Sequence, residues 1–208
     1  MNRDVRRTKE DAEETRNAIL DAAEIIFAEK GISGPSLESI SRAAGATRGA
    51  LYWHFKNKTD LLNALRTRRK LPQEELLILA GAQGHEDPLS FLEATAHEIL
   101  AIFEADESQQ RMFRISLHAA ADETVADWTT KMNNEVFENL QRVTALAEKD
   151  GSLNPNFTPR EAAFMMMVTM NGIVSEWQRS SHAFQLTTLG WKLISAQMSL
   201  IRKSPEQK

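Results

Sequence analysis

The residues Ala43-Ala44-Gly45-Ala46-Thr47-Arg48-Gly49-Ala50-Leu51-Tyr52-Trp53-His54-Phe55-Lys56-Asn57-Lys58 place a glycine between two short segments with helical character. Ser36 can cap the first segment and Thr47 the second, because a hydroxyl accepts the free N–H groups of a helix start. Glycine at the turn supplies the positive φ that lets the second helix cross the first. This stretch therefore predicts a helix-turn-helix whose second helix reaches about His54.

The second helix is too short and too polar to be a core helix, since its outward side carries Arg48, Gly49, Tyr52 and Trp53. A glycine within a helix costs about 1 kcal/mol relative to alanine, and a reason to keep Gly49 is close approach of the backbone to DNA. Arg48 lies in the first turn, from which a recognition helix reaches base edges. Its guanidinium can pair with O6 and N7 of guanine.

Hydroxyl, imidazole and ammonium groups on and around this helix are suited to phosphate oxygens. The alternative is an aromatic packing cluster with solvated lysines. We accept that alternative for Phe55 and leave it open for Trp53, whereas for Arg48, Tyr52 and Lys58 we favour contact with DNA. Ser36 and Thr47 are added to the predicted contacts because they lie at helix N-termini, which bind anions. The predicted DNA-contacting residues are Ser36, Thr47, Arg48, Gly49, Tyr52, Trp53, His54, Lys56 and Lys58.

The charge is divided unevenly along the chain. Residues 1–70 carry 14 Lys and Arg against 10 Asp and Glu, whereas residues 71–208 carry 11 against 19. A basic head on an acidic body suits a chain of which only one end meets phosphate. Chance variation in surface charge is the alternative, and the charge alone leaves it open.

The composition excludes several classes of protein. Cysteine is absent, so disulfides and thiolate metal sites are excluded. The charged segment 1–14 has no apolar stretch and does not resemble a secretory signal. The longest apolar run, 162–168, is far shorter than the ~18 residues that suggest a membrane span. We expect a cytoplasmic protein with no membrane contact, no metal and no cofactor.

Helical signals dominate and strand signals are nearly absent, which predicts an all-α fold of about nine helices in total. The clearest helix starts are Asp87-Pro88 and Thr158-Pro159-Arg160-Glu161, where a capping side chain precedes a proline. Asn57, with Asp60 three residues on, opens another helix. Beyond the helix-turn-helix the predicted helices are 12–30, one from residue 57, 88–104, 107–118, 122–149, 159–179 and 187–201. We assign 1–65 to a three-helix DNA-binding domain and 66–208 to a helical ligand-binding and dimerisation domain.

The same residues carry a resemblance to a known family. Residues 43–58, together with 15–23 (TRNAILDAA) and 27–31 (FAEKG), resemble the first helix, turn and recognition helix of the TetR family of transcriptional repressors. The resemblance extends to about residue 65 and is greatest to the AcrR-like repressors of multidrug efflux pumps. It implies that the basic stretch 3–9 touches DNA as well. It also implies DNA contacts for Thr47, Arg48, Tyr52, His54 and Lys58.

The C-terminal helices are rich in methionine and aromatic side chains, which adapt to different partners as a promiscuous apolar pocket requires. An ordinary core is the alternative, and it stays open for each single side chain. Asn171 lies among Met167, Met170 and Val174, so we expect it to face an interior and to find a partner there. The predicted ligand-binding residues are Phe113, Leu117, His118, Trp128, Met132, Met167, Asn171 and Trp177.

The helix that starts at Pro159 is apolar nearly all round, so it has two faces to bury. One face can pack on its own domain and the other on a second copy of the chain. Resemblance to the family implies a two-fold, four-helix interface built from this helix and the last one. Such a homodimer fits a palindromic operator in double-stranded DNA.

Three classes of function compete. The first is a repressor that is released from its operator by a small hydrophobic or amphipathic inducer; control of a multidrug efflux operon follows from the resemblance alone. The second is a helical-bundle enzyme, but the sequence has no Ser/His/Asp arrangement, metal-spaced His/Glu pair or phosphate loop. The third is a DNA-binding regulator without a sensor, against which the long acidic C-terminal part argues. We therefore predict a ligand-responsive repressor without catalytic residues.

Overall fold

A computed structural model of the chain describes residues 3–68, 87–120 and 125–204. Over these ranges the chain forms nine α-helices and one π-helical turn, and its isolated β-bridge pairs Leu153 with Arg202 outside any strand. The prediction of an all-α fold is confirmed. The elements are α1 (Arg3–Lys30), α2 (Leu37–Ala43), α3 (Arg48–His54), α4 (Lys58–Arg68), α5 (Pro88–Ala105), α6 (Glu107–Ala120), α7 (Ala126–Lys149), α8 (Pro159–Arg179), the π-helical turn Leu186–Gly190 and α9 (Trp191–Ile201).

The helices belong to two compact units. The first unit contains α1 to α4, nearly all of α6 and the start of α7. The second unit contains α5, the rest of α7, α8 and α9. A functional division of the chain after residue 65 stays a prediction.

Capping side chains start several helices where the sequence predicts them. The hydroxyl oxygen of Thr47 accepts the N–H of Ala50 at 3.1 Å at the start of α3. Thr158 and Glu161 form a reciprocal capping box at the start of α8. The start of α1 differs, because this helix begins at Arg3 rather than at residue 12. The segment 3–14 is almost entirely polar, so it shows no apolar period by which a helix is recognised.

The apolar sides of α1 to α4 form the core of the first unit. α1 packs against α2, α3 and α4, and α2 packs against α3. α3 contributes Leu51 to this core and is followed by the buried ring of Phe55. The helix is thus held along one side only, which leaves its other side open. The buried apolar side chains from the other three helices are Ile19, Leu20, Ala23, Phe27, Ala28, Leu37, Ile40, Leu61, Leu62 and Leu65.

A buried carboxylate joins α1 to two further helices of the first unit. The side chain of Glu24 on α1 is only 4% exposed. Its Oε1 accepts hydrogen bonds from Ser108 Oγ and Arg111 Nε of α6, both at 2.8 Å. Its Oε2 accepts one from Arg68 Nη2 of α4 at 3.2 Å. Loss of one partner of a buried charge costs about 3–5 kcal/mol, so these contacts hold α1, α4 and α6 together.

In the second unit, Asp87 joins the start of α5 to the end of α9. Its carboxylate accepts the N–H and the hydroxyl of Ser90 at 2.9 and 2.7 Å, and Arg202 Nη1 donates to both carboxylate oxygens. The hydrogen bonds from Ser90, backbone first, and then the Arg202 guanidinium lower the pKa of Asp87 to about 2. Because the folded pKa is the lower one, the stabilisation is present above the unfolded value and is lost as the pH falls through about 2.

We predict that Asp87→Ala lowers the free energy of unfolding by about 1–2 kcal/mol, because it removes both the helix cap and the ion pair. Asp87→Asn keeps a capping oxygen and should cost less. Urea unfolding at pH 7 measures both changes. The gap between the wild-type chain and Asp87→Asn should narrow when the pH is lowered from 7 to 3. An Asp87→Ala variant as stable as the wild type at pH 7 would contradict this role.

Candidate DNA interface

The turn between α2 and α3 depends on the backbone freedom of Gly45. Its φ is +66°, in the left-handed region that favours glycine. The N–H of Gly45 donates to the carbonyl of Arg42 at 3.2 Å, and the N–H of Ala46 donates to that of Ser41 at 2.9 Å. A Cβ on Gly45 would meet no atom within 4 Å, so the requirement is conformational rather than steric.

The open side of α3 carries the polar and aromatic side chains that the sequence assigns to it. The indole of Trp53 is 74% exposed, and Tyr52 is exposed as well. The side chain of Arg48, in the first turn, is 72% exposed. A guanidinium, a phenol and an indole therefore project from one short helix whose position is fixed from behind by Leu51.

Glu38 on α2 contacts both polar side chains of this surface. Its Oε1 lies 3.4 Å from Nε of Arg48 and accepts a hydrogen bond from the Tyr52 hydroxyl at 3.2 Å. The guanidinium carbon of Arg48 lies 5.5 Å from the centre of the Tyr52 ring. Glu38 was not among the predicted residues, because no local pattern links an acid in one short helix to particular side chains in the next.

Nothing in the described part of the chain requires a glycine at position 49. Its φ lies outside the left-handed region. A Cβ at this position would meet only the hydroxyl of Thr47, at 4.0 Å, which is an ordinary contact. Alanine would favour the helix by about 1 kcal/mol. The glycine therefore costs stability and keeps the surface beside Arg48 free of a side chain.

Three exposed residues around α3 offer groups suited to phosphate: Ser36, Thr47 and Lys56. The hydroxyl oxygens of Ser36 and Thr47 accept the N–H groups of Ser39 and Ala50 as helix caps. A hydroxyl that accepts still has its own hydrogen to donate. The ammonium of Lys56 adds a positive charge at the end of the helix.

His54 contributes to this surface without a charge. Its ring packs edge-on against Trp53, with 4.5 Å between ring centres. Burial, and after it the nearby positive charge of Arg16, lowers the pKa of His54 from 6.5. The imidazole is therefore neutral at pH 7 and can donate one N–H to an acceptor.

Lys58 has a structural role that the sequence analysis did not foresee. Its ammonium donates hydrogen bonds to the carbonyls of Ile32 and Ser33 at 2.7 and 2.9 Å. These carbonyls belong to the loop that follows α1, which ends at Lys30. Lys58 thus fastens the loop after α1 to the start of α4. A phosphate contact through its third N–H stays a prediction.

The residues predicted to bind a ligand differ widely in exposure. Phe113, Met132 and Trp177 are buried, and Met167 is half-buried. Leu117, His118 and Asn171 are exposed. The side chain of Trp128 lies outside the described part of the structure. Their common role in ligand binding therefore stays a prediction.

The expectation that Asn171 faces an interior is wrong. It lies on the opposite side of α8 from the buried residues, together with the exposed side chains of Phe164 and Val168. A helix that is apolar nearly all round does not reveal from sequence which side turns inward, and the flanking methionines were misleading. The buried residues of α8 are Ala162, Ala163, Met166, Ile173, Val174 and Trp177.

No helix among the described residues is both long and apolar enough to cross a membrane. Over the same ranges, no group of three or more acidic or histidine side chains is placed to hold a metal ion.

The fold and the α3 surface define a helix-turn-helix regulator, with α2 and α3 as the two helices of the motif. Residues 19–65 match the family model described as bacterial regulatory proteins, tetR family. The transcriptional repressor BepR of Brucella suis is 34% identical over 95% of this chain and 97% of its own length. The chain therefore belongs to the TetR family, in its AcrR-like branch, and is a transcriptional regulator rather than an enzyme.

Solved structures extend the likeness to the C-terminal helices. NalD of Pseudomonas aeruginosa, the secondary repressor of the MexAB-OprM multidrug efflux pump, is 32% identical, with a TM-score of 0.79 over 94% of this chain and 99% of its own. The complex of SmeT with triclosan is 28% identical, with a TM-score of 0.82 over 92% of this chain and 93% of its own. SmeT is the repressor of the Stenotrophomonas maltophilia efflux pump SmeDEF.

We predict that Gly49→Ala changes stability and DNA binding in opposite directions. The free energy of unfolding should rise by up to about 1 kcal/mol, because alanine favours the helix. Affinity for duplex DNA should fall on the order of tenfold, about 1.4 kcal/mol, because the methyl group holds the backbone away. Urea unfolding and fluorescence anisotropy with a labelled duplex measure the two effects on one preparation. Unchanged affinity would mean that the backbone of α3 does not approach DNA.

Proposed function

We propose that this protein is a dimeric repressor that binds a palindromic operator through α3 and is released by a small hydrophobic or amphipathic compound. The observation that carries the proposal is the open side of α3, where Arg48, Gly49, Tyr52 and Trp53 lie together on a helix anchored by Leu51. Arginine in the first turn suits guanine, and the neighbouring hydroxyl and ammonium groups suit phosphate.

Exposed apolar side chains on α8 and α9 support association of two copies. They are Phe164, Val168, Leu193 and Leu200, with Leu189 in the π-helical turn, and each is between 44% and 55% exposed. α8 and α9 pack on one another, so an isologous contact through this side would bring four helices together. Gly172 lies on the exposed side of α8, and a Cβ there would meet no atom within 4 Å. This leaves room for the close approach of a partner helix.

A groove between α7 and α8 in the second unit is our candidate site for the inducer. Its volume is about 470 Å³, which is within the range of small-molecule sites. The rings of Phe137 and Phe164 meet edge to face, 6.5 Å between centres, and the guanidinium of Arg160 lies over Phe137. The side chains of Asn133 and Asn134 add amides at the edge. Aromatic walls with a few polar groups suit a flat amphipathic molecule.

The contacts of Glu24 support a route by which a displacement of α6 reaches the DNA-binding helices, although none of the residues that line the groove lies on α6. A ligand releases DNA only by as much as it prefers a state that does not fit DNA. Since Ser108 and Arg111 tie α6 to Glu24, a displacement of α6 moves α1 with it. The helix-turn-helix packs on α1, so its orientation would change as well.

The relatives support an efflux operon as the regulated target. NalD and SmeT are both named as repressors of multidrug efflux pumps. The SmeT structure contains triclosan, a small apolar compound. We propose the same class of operon and the same kind of inducer for this protein.

The proposed function is tested by titrating dyes, bile salts and hydrophobic antibiotics against the complex with a duplex that the protein enriches from a random library. At least one compound should weaken DNA binding, by about 5- to 150-fold for a coupling of about 1–3 kcal/mol. Phe137→Ala should reduce this effect without changing DNA affinity. Leu146→Ala, a half-buried apolar change on the same helix but outside the groove, is the control. If no compound that binds the protein alters DNA affinity, the chain is a regulator without a sensor.

The dimer is tested by light scattering of the free protein. Val168→Glu places a charge in the exposed apolar side of α8 and should convert a dimer to a monomer at micromolar concentration, because the charge would be buried without a partner. Ala145→Glu adds the same charge at an exposed position of α7 and should stay dimeric. A wild-type chain that is monomeric at this concentration would refute the interface and the palindromic operator together.

A further inference from the structure

The side chain of Glu38 occupies an unexpected place for an acid. It is 40% exposed and lies beside Arg48, on the side of the protein where a phosphate backbone is expected. A carboxylate there repels phosphate and weakens binding to every duplex alike. An ion pair this exposed also contributes little to stability. Glu38 also lies in the first turn of α2, where an acid favours the helix through interaction with its dipole. This accounts for an acid on α2 but not for its contacts with Arg48 and Tyr52.

The contacts of Glu38 restrict two exposed side chains of α3. Its Oε1 lies 3.4 Å from Nε of Arg48 and accepts the Tyr52 hydroxyl at 3.2 Å. The guanidinium in turn lies over the Tyr52 ring, 5.5 Å from its centre. One carboxylate oxygen thus limits the rotation of Arg48 about its long stem and aligns the ring beneath it.

The atoms that remain available on Arg48 are those that read guanine. The contacts described for this guanidinium engage Nε and its flat face. The two terminal nitrogens form a fork that matches O6 and N7 of guanine. A fork that is already oriented loses less rotational freedom on binding than a free one.

The carboxylate of Glu38 is charged at neutral pH. Its own backbone N–H, followed by the hydroxyl of Tyr52 and the charge of Arg48, lowers the pKa of Glu38 below 4.5. The contact with Arg48 is therefore a charged one at neutral pH.

We propose that Glu38 is a positioning residue for base recognition: it orients Arg48, with the Tyr52 ring beneath it, toward one base pair, while its charge repels the backbone of every duplex alike. This inference rests on the proposed operator binding. If it holds, α2 contributes to sequence specificity through Glu38, without a contact between Glu38 and a base. Specificity rises because the specific complex gains an oriented fork while every complex carries the repulsion.

The experiment measures, by fluorescence anisotropy, the affinity of four variants for two kinds of DNA. One is the duplex that the wild-type chain enriches from a random library, and the other is unselected duplex of the same length. The variants are Glu38→Gln, Arg48→Ala, the double variant, and Glu29→Gln as a control. Glu29→Gln removes the same charge from an exposed position on α1. Urea unfolding of each variant checks that the fold is retained.

For Glu38→Gln we expect stronger binding to unselected duplex. The ratio of specific to unselected affinity should fall by at least about threefold per half-site, a change within the discrimination that an Arg–guanine pair provides. In the Arg48→Ala background the same change should leave the ratio unaltered, because the side chain to be oriented is gone. The control should leave the ratio unaltered as well.

Two results would overturn the inference while leaving operator binding intact. One is a Glu38→Gln ratio equal to that of Glu29→Gln, since Glu38 would then act only as a distant charge. The other is an equal effect of Glu38→Gln with and without Arg48, since the acid would then act independently of it. A wild-type chain that enriches no sequence would refute the proposed function first, and this inference with it.

Discussion

The buried carboxylate of Glu24 is the contact on which the arrangement of the first unit depends. Removed from water, it requires donors, and it receives them from Arg68 at the end of α4 and from Ser108 and Arg111 on α6. α1 is therefore joined by charge to α4 and α6 along one side, and by apolar packing to α2 and α3 along another. α3 packs on both α1 and α2, so the position of its open side depends on α1. Under the proposed function, a displacement of α6 would move that surface through Glu24.

Within the helix-turn-helix, some residues hold the fold together, and their neighbours are the ones proposed to bind DNA. Leu51 and Phe55 hold α3 from behind, and Lys58 fastens the preceding loop through the carbonyls of Ile32 and Ser33. The outer side carries Arg48 and Tyr52, and both contact Glu38 on α2. Gly49, which lies between these two residues in the sequence, lowers the stability of the helix. A residue retained at such a cost, without any need in the described structure, points to a partner that must come close.

The parts of this architecture that sequence reasoning recovered are those encoded locally. Thr47 and Thr158 cap the helices they were expected to cap, since a cap involves residues only three positions apart. What it missed depends on the tertiary placement of helices. The carbonyl contacts of Lys58 were not foreseen because their partners lie in a distant loop, and Asn171 was placed inside because α8 is apolar on more than one side. The exposed side of α3 was predicted correctly because the family motif and the geometry of a short, polar helix indicate the same residues.

The proposal that two copies of this chain bind DNA through α3 is tested most directly by sequencing the DNA that the purified protein enriches from a random duplex library. We expect two inverted copies of one short sequence, their centres about 10–10.5 base pairs apart or a multiple of that, because two recognition helices related by a two-fold axis must enter the major groove from one face. Enrichment of a single unrepeated element, or of no sequence at all, would contradict it.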